Sequence, residues 1–390
     1  MNMKVRGSMR KNMLLVDAYM QSSNWIGGLY YRKNIIYSLL QNKNLMNKYH
    51  IVLFVSQNDY TVFEEFKKNI IIISTDKRLS ERSKKIFLIK LSLKYHIKYI
   101  FPTLENRILS LFGINCIAWI PDFQHFYFPY LFEKSDLENR TRLYQRVIEN
   151  SKLLILSSHN ALNDVKKFYS HYPTKTEVVP FISDLNCEIH RMNPQSERKI
   201  IVKYGLEGTR YICVCNQFWQ HKNHVLVLNA IERLIAENRA DIVFVFTGEL
   251  KDYRNTEYFE KIKAIISRLT PYKCLKILGF INRFDQIVIM KHAEFIVQPS
   301  LFEGWGTVLE DAKVLDKTVL LSDIPIHREQ KNERCILFDP YDADALARLI
   351  VNEYAKIHDC EDVEKGLADM TMRAQKYSAG FERMLLVDRA

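Results

Sequence analysis

The chain of 390 residues has few of the residues that interrupt regular structure, with only 12 glycines and 10 prolines. No segment is of low complexity, and 47% of the residues are hydrophobic against 26% charged. This composition excludes a disordered protein and allows one or two full hydrophobic cores. At this length two domains are the default expectation.

The seven cysteines are an odd number, and no two of them have the CxxC spacing. Most lie in apolar runs, as Cys213 and Cys215 do. Such cysteines are typical of small buried side chains in a reducing compartment. Neither a disulfide framework nor a metal site is therefore expected.

Long hydrophobic runs are also missing, since no window reaches the length of a membrane span. The apolar run from Met13 to Val16 is short and has no cleavage-site pattern, so no signal peptide is expected. We expect a cytoplasmic protein. A peripheral location on the inner face of the membrane stays open because of the charge distribution.

Acidic residues are scarce in the first half of the chain. Residues 1–190 hold 27 Lys and Arg against 16 Asp and Glu, whereas residues 191–390 hold 29 of each kind. The densest basic segment, residues 77–98, is patterned as an amphipathic helix. It is either an ordinary surface helix or a contact with an anionic membrane surface or phosphate-bearing acceptor. The basic charge is the one feature that suggests a nucleic-acid-binding protein. Because no nucleic-acid-binding module is recognisable, no nucleic-acid partner is expected.

Short apolar runs of strand length alternate with helical patterns along the chain. This alternation favours parallel sheets with helices on both faces, an α/β fold of two doubly wound domains. The predicted strands are Met13–Asp17, His50–Val55, Asn69–Ile73, Ile97–Phe101, Asn115–Trp119, Leu153–Leu156, Tyr211–Cys215, Ile242–Thr247, Lys276–Leu278, Glu294–Val297, Thr318–Leu321 and Cys335–Phe338.

One turn, residues 299–312, joins a predicted strand to a predicted helix that runs to about Leu315. Its glycines, Gly304 and Gly306, let the backbone approach a ligand, and the first N–H groups of the helix would face an anion. Two carboxylates, Glu303 and Glu310, bracket the turn. Carboxylates accept hydrogen bonds, so they suit the hydroxyls of a sugar or ribose. The alternative is a plain glycine-rich turn with solvated glutamates.

Two other loops that follow predicted strands are candidate binding sites. Gly27 and Gly28 precede a helical pattern, which is the geometry of an anion site or of an ordinary tight turn. Asp122 and His125 lie in a loop dense in aromatic residues, which suits a sugar pocket or one wall of a core.

The block from Gln298 to Gln330 resembles the nucleotide-sugar site of retaining GT-B glycosyltransferases of family 4, also called glycosyltransferase group 1. That family carries an E-G-F-G-x-x-x-x-E-A segment, then a buried strand and an S-x-x-P turn. This chain has E-G-W-G-T-V-L-E-D-A, with six residues between the glutamates where the family has seven. A weaker resemblance continues over most of the chain.

The resemblance implies a role for each matching residue. Glu310 would accept hydrogen bonds from the ribose, and Glu303 would hold hydroxyls of the donor sugar. Asp122 and His125 would lie near the acceptor and the reacting carbon. Gln217 stands where the family usually has an arginine on the donor phosphates. The remaining donor-binding positions are Lys222, Gly27, Gly28, Gly304, Gly306, Thr307 and Val308 at the diphosphate and Phe280 at the base.

The resemblance also implies a GT-B fold, two Rossmann-like domains with a cleft between them. Residues 1–185 would bind the acceptor, residues 186–370 the nucleotide sugar, and the tail 371–390 would cross back to the first domain. The segment from Ser183 to Glu197 has little periodicity and is the best linker.

The implied reaction moves a hexose from a nucleotide-diphosphate sugar to a saccharide or lipid-linked saccharide in bacterial-type surface polysaccharide assembly. It would proceed with retention and without a metal or cofactor. The Asp342-Ala343-Asp344 pattern of metal-dependent sugar transferases begins a helix here, so capping is the better interpretation. The alternatives are a nucleotide-sugar epimerase of the same fold and a non-catalytic protein that binds sugar nucleotides.

Overall fold

The computed structural model describes residues 11–20, 26–103, 107–173, 175–251, 255–356 and 362–386. The chain divides into two compact units. The first comprises Met1–Pro121, Arg142–Ile182 and Thr371–Ala390, and the second comprises Asp122–Thr141 and Ser183–Met370.

Thirteen strands are found in the described part of the chain. They are β1 (Asn12–Asp17), β2 (Tyr49–Ser56), β3 (Ile71–Thr75), β4 (Ile97–Phe101), β5 (Asn115–Ile120), β6 (Leu153–Leu156), β7 (Lys175–Val178), β8 (Tyr211–Cys215), β9 (Val243–Thr247), β10 (Leu275–Ile277), β11 (Ile296–Gln298), β12 (Val319–Ser322) and β13 (Cys335–Phe338).

Sixteen α-helices lie among the same described residues, with 3₁₀ turns at 57–68, 129–131, 220–222 and 270–272. They are α1 (Ile26–Gln41), α2 (Lys43–Lys48), α3 (Glu81–Tyr95), α4 (Arg107–Leu111), α5 (Gln124–Tyr127), α6 (Lys134–Asn150), α7 (His159–Phe168), α8 (Asn186–Arg191), α9 (Pro194–Lys203), α10 (His224–Ala236), α11 (Thr256–Leu269), α12 (Arg283–His292), α13 (Thr307–Val314), α14 (Pro325–Gln330), α15 (Ala343–Tyr354) and α16 (Val363–Leu386).

The first unit is built on a parallel sheet of seven strands in the order β3-β2-β1-β4-β5-β6-β7. Its central strands are apolar on both faces, and Leu14, Leu15 and Val16 of β1 are completely buried. Helices cover both faces of such a sheet, so the side chains on both faces of a strand are buried. The apolar runs in the sequence are therefore continuous. The end of α16 packs on this unit, where the hydroxyls of Tyr49 and Tyr99 donate to the Leu385 carbonyl at 3.0 and 3.3 Å.

The second unit is built on a parallel sheet of six strands in the order β10-β9-β8-β11-β12-β13. Its core combines completely buried side chains of β8, β9 and β11 with those of α10 and α15. The two parallel sheets confirm the predicted α/β class of two Rossmann-like domains.

Residues 183–197, predicted to be a linker, contain α8 and the start of α9. Ser183, Asp184 and Leu185 are buried, and Asn193 caps α9 by accepting from the Ser196 amide at 2.9 Å. Much of the segment is therefore helical. The segment has little periodicity because the helices are short, at 6 and 10 residues.

The basic segment 77–98 contains α3, whose lysines do not all face outward. Lys84 pairs with the buried Asp17 at 2.7 Å and donates to the Tyr19 carbonyl at 3.1 Å. Lys85 and Lys90 are exposed, and so is Ile86. Over the residues that the structure describes, no helix is long and apolar enough to cross a membrane.

Candidate functional site

Two loops of the second unit meet where the strand order changes direction. β8 has β9 on one side and β11 on the other, and the three strands are parallel. The loops after β8 and β11 therefore leave the same edge of the sheet. In open α/β sheets this switch point is where ligands bind.

The Glu303 carboxylate, in the loop after β11, is held by three donors. Its Oε1 accepts from Lys222 Nζ at 2.6 Å, from Ser300 Oγ at 2.7 Å and from Gln298 Nε2 at 3.0 Å. The side chains of Lys222 and Glu303 are only 15% and 9% exposed. Burial raises the pKa of Glu303, but the Lys222 charge and the hydrogen bonds outweigh it and bring that pKa below its usual value. The Glu303 carboxylate is therefore charged at neutral pH.

Behind this pair, Gln298 is oriented by Asn216. The Asn216 amide donates to Gln298 Oε1 at 2.7 Å. Gly248 lies against the Asn216 backbone with φ +117°, and a Cβ on it would come within 2.1 Å of the Asn216 carbonyl oxygen. Only glycine fits there.

The loop after β8 is fastened to the loop after β11. Asn223 adopts a left-handed conformation, and its amide donates to the carbonyls of Pro299 at 3.2 Å and Pro340 at 2.9 Å. The Leu301 amide donates to the His221 carbonyl at 2.8 Å. These bonds hold the Lys222 backbone in register with Glu303.

Glu310, on α13, is completely buried. Its Oε1 accepts from Lys313 Nζ at 2.8 Å and from Gln330 Nε2 at 2.9 Å. Gln330 also accepts from the Gly306 amide at 2.9 Å and donates to the Gly306 carbonyl at 2.8 Å. The first intrahelical bond of α13 runs from Glu310 to Gly306, so the amides of Thr307 and Val308 form the start of the helix.

Next to Glu310, Asp311 is held by a fork of hydrogen bonds. Arg283 of α12 donates to both its oxygens, at 2.6 and 2.5 Å, and Ser183 Oγ donates at 2.5 Å. Asp311 is completely buried. A bidentate pair of this kind fixes the orientation of α13 as well as its position.

Asp122 and His125 belong to the second unit. Burial raises the pKa of Asp122, and the Glu303 charge raises it further, while Arg140 and Lys222 lower it. His125 is buried against Phe126, with ring centroids 4.3 Å apart, and burial lowers its pKa to about 4. His125 is therefore neutral at neutral pH.

Aromatic residues of the same segment pack on the residue before Glu303. The rings of Tyr127 and Phe128 lie 5.7 and 6.0 Å from the ring of Phe302. Tyr127 is 42% exposed and Tyr130 is 63% exposed. We call the rings of Tyr127, Phe128, Tyr130 and Phe302 the aromatic surface. Phe302 directly precedes Glu303 in the chain.

The other predicted donor residues have different surroundings. Gly27 and Gly28 lie in the first unit, within the first turn of α1, and the Gly28 carbonyl accepts from Arg32 at 2.7 Å. The glycine pair was expected before the helix. Gln217 accepts from the Glu249 amide at 3.1 Å, so it supports the neighbouring turn. Phe280 is 61% exposed.

Sequence reasoning identified Lys222 but missed the amide and hydroxyl side chains that position the two glutamates. Asn216, Gln298, Ser300 and Gln330 are polar and buried, and each ends or follows a strand or ends a helix. A buried amide or hydroxyl directly after an apolar strand was the available signal. It could not be interpreted without knowing which strands are neighbours.

Within the described ranges, no group of three or more His, Cys, Asp or Glu side chains could hold a metal ion. Asp342 accepts from the Ala345 amide at 2.8 Å and caps α15, which confirms the capping interpretation.

Residues 196–355 match the family model described as glycosyl transferases group 1. The O-antigen chain mannosyltransferase B of Escherichia coli is 22% identical over 204 residues, 52% of this chain and 52% of that protein. The chain thus spans about half the length of this curated relative.

Among solved structures, a glycosyltransferase from Rickettsia africae ESF-5 superposes with a TM-score of 0.68 at 14% identity, over 97% of this chain and all of that one. Anabaena HepE in complex with UDP-glucose gives 0.62 at 15%, over 95% of each chain. These likenesses establish the GT-B fold. The family match covers residues 196–355, which lie within the second unit.

Proposed function

We propose that the protein is a retaining, metal-independent glycosyltransferase of family 4 that moves a hexose from a nucleotide-diphosphate sugar to a saccharide or lipid-linked saccharide. The observation that carries the proposal is the buried Lys222–Glu303 pair, 2.6 Å apart at the switch point of a glycosyl transferases group 1 domain. A cation and an acceptor of hydroxyl protons are the two groups that a sugar diphosphate requires.

On the donor side, Lys222 and the amides of Thr307 and Val308 stabilise the diphosphate as negative charge develops on the leaving oxygen. Glu303 accepts hydrogen bonds from hydroxyls of the transferred sugar, and Glu310 accepts from the ribose. HepE, which shares the fold, was crystallised with UDP-glucose. UDP-sugars are therefore the first donors to test.

On the acceptor side, we assign the saccharide to the aromatic surface, with Asp122 and His125 nearest the reacting carbon. Aromatic faces pack against the C–H faces of sugars. In the reaction the bond from the anomeric carbon to the phosphate oxygen breaks and a bond to the acceptor oxygen forms on the same face. The leaving phosphate oxygen takes the acceptor proton, so no side-chain nucleophile is required.

The outer face of α3 favours an acceptor at an anionic membrane, as in surface polysaccharide assembly. Arg82, Lys85 and Lys90 are exposed there beside Ile86 and Leu93, which are 48% and 59% exposed. Apolar side chains flanked by cations are typical of surfaces that lie in a membrane interface.

The test is calorimetric titration of the protein with UDP-, GDP- and dTDP-sugars, followed by transfer assays with saccharide and lipid-linked acceptors. We expect one donor to bind and one acceptor to give a product, whose anomeric configuration NMR then assigns as retained. The matched variants are Glu303→Gln, which should abolish transfer, and Glu257→Gln, an exposed glutamate on α11 that should not.

Three results would contradict the proposal in different ways. No binding to any sugar nucleotide would remove the donor assignment. Tight binding without turnover on any acceptor would favour a non-catalytic sugar-nucleotide-binding protein. A sugar nucleotide that changes configuration without an acceptor would indicate an epimerase.

A further inference from the structure

A chain of buried hydrogen bonds connects Glu303 with His327 inside the second unit. Ser300 donates its hydroxyl to Glu303 at 2.7 Å, and its own carbonyl accepts from Ser322 Oγ at 2.6 Å. His327 Nδ1 then lies 2.9 Å from Ser322 Oγ and 2.9 Å from the Ser322 carbonyl oxygen. Ser300, Ser322 and His327 are completely buried.

These distances select one tautomer of His327. The Ser322 hydroxyl has a single proton, and it is donated to the Ser300 carbonyl. Nδ1 therefore faces two oxygen acceptors, the Ser322 hydroxyl and the Ser322 carbonyl, and must carry the ring proton itself. With the proton on Nε2 instead, the lone pair of Nδ1 would face the lone pairs of the carbonyl at 2.9 Å.

The buried ring is not explained by packing alone. Burial lowers the pKa of His327 to about 4, so the ring is neutral at neutral pH. Its Nε2 has no hydrogen-bond partner within the described part of the chain. A phenylalanine would fill the same space without a buried unpaired nitrogen, which costs about 1–3 kcal/mol. The imidazole can donate a hydrogen bond through its Nδ1 proton, which a phenyl ring cannot do.

We propose that His327 is a positioning residue for Glu303, acting as a neutral Nδ1–H donor through Ser322 and Ser300. The Nδ1–H fixes the Ser322 hydroxyl, that hydroxyl fixes the Ser300 backbone, and the Ser300 side chain holds the carboxylate. The contribution to binding rests on the proposed function, in which Glu303 holds donor-sugar hydroxyls. The assignment of the His327 tautomer is independent of the proposed function.

The first experiment is therefore independent of any ligand. Histidine labelled with ¹⁵N in the whole protein gives ring signals for the 11 histidines, and the His327 signals are those missing from His327→Asn. We expect a protonated Nδ1 and an unprotonated Nε2 at pH 7. A ring protonated on Nε2, or on both nitrogens, would overturn the proposal.

The second experiment separates positioning from general stability. Affinities are measured for a nucleotide sugar and for the matching nucleoside diphosphate, which lacks the sugar that Glu303 would hold. For His327→Phe we expect about a 10-fold loss for the nucleotide sugar and less than about a 2-fold change for the diphosphate. His327→Asn, whose amide can donate from the place of Nδ1, should stay within about 3-fold of wild type for both.

Ser322→Ala provides a second route if His327→Phe does not fold, since it removes the hydroxyl in the middle of the path. It should reproduce the same split between the two ligands. Equal losses for both ligands, or an Asn variant as weak as Phe, would show a structural role only and overturn the positioning role. If the wild type binds the diphosphate but no nucleotide sugar, the proposed function fails, while the ring signals still decide the tautomer.

Discussion

Lys222 and Glu303 lie 81 residues apart in the chain and form an ion pair whose Nζ and Oε1 atoms are 2.6 Å apart. One follows β8 and the other follows β11, and these strands are neighbours in the sheet. Because both side chains are largely buried, each charge depends on the other for its stability in the fold.

The first prediction concerns this pair. Glu303→Gln should lower the free energy of unfolding by about 3 kcal/mol, because it leaves the Lys222 ammonium buried without its counter-charge. Lys222→Met should have a cost of similar size. The double variant should cost clearly less than the sum of the two, and urea unfolding of all four proteins measures the difference. Additive losses would contradict a coupled pair.

The second prediction separates the two glutamates by their ligands. If Glu310 accepts from the ribose, Glu310→Gln should weaken nucleoside diphosphate binding about 10-fold. A 2′,3′-dideoxy nucleoside diphosphate should bind the wild type less tightly but bind wild type and variant nearly equally. Calorimetry of wild type and Glu310→Gln with each of the two nucleotides gives the four affinities of a thermodynamic cycle. A variant that weakens both nucleotides alike would point to lost packing around Lys313 and Gln330.

The third prediction concerns Gly248. Gly248→Ala should destabilise the protein by more than about 1 kcal/mol, because alanine is strained at φ +117° and its Cβ would collide with the Asn216 carbonyl. The melting temperature measures the effect. Gly208→Ala is the matched control, since Gly208 also has a positive φ but open space around its Cβ position. Equal losses in both variants would mean that strain alone matters.

The fourth prediction concerns pH. His224 is completely buried against Phe218, at 4.1 Å between ring centroids, and burial lowers its pKa to about 3. The unfolded chain binds a proton near pH 6.5, whereas the folded chain does not until about pH 3. Stability from this group is therefore complete above pH 6.5 and is lost as the pH falls towards 3.

In His224→Phe the slope of unfolding free energy against pH should be smaller by about 1.4 kcal/mol per pH unit between pH 5.5 and 4. Urea unfolding at several pH values gives the slopes. His96→Phe is the control, because His96 is an exposed histidine at the end of α3. An unchanged slope in His224→Phe would show that His224 is protonated in the fold.

The fifth prediction concerns the outer face of α3. Lys85→Glu with Lys90→Glu should reduce co-sedimentation with phosphatidylglycerol vesicles by at least about 5-fold, since each cation near an anionic surface contributes about 1 kcal/mol. Wild-type binding should weaken with salt. Lys261→Glu with Lys273→Glu makes the same charge change at exposed positions of the second unit. An equal loss of vesicle binding in both double variants would show that binding depends on the net charge of the protein and not on the outer face of α3.

Much of the fold could be predicted because its strands are buried on both faces. Ile97–Phe101, Leu153–Leu156 and Tyr211–Cys215 were predicted with the bounds that the structure gives. An apolar run of this length bounded by polar residues leaves few alternatives to a central parallel strand. The helices of residues 183–197 were missed because they are too short to show a period.

The chemistry of the turn at 299–312 follows from the amino-acid sequence alone, since glycines and carboxylates at a strand-to-helix junction are a local pattern. The contacts of each carboxylate depend on the fold. Lys222, Gln298 and Ser300 converge on one oxygen of Glu303 because β8 and β11 are adjacent. His327 reaches the same network through Ser322 at the end of β12. Strand order is a long-range property of packing, and spacing along a chain does not encode it.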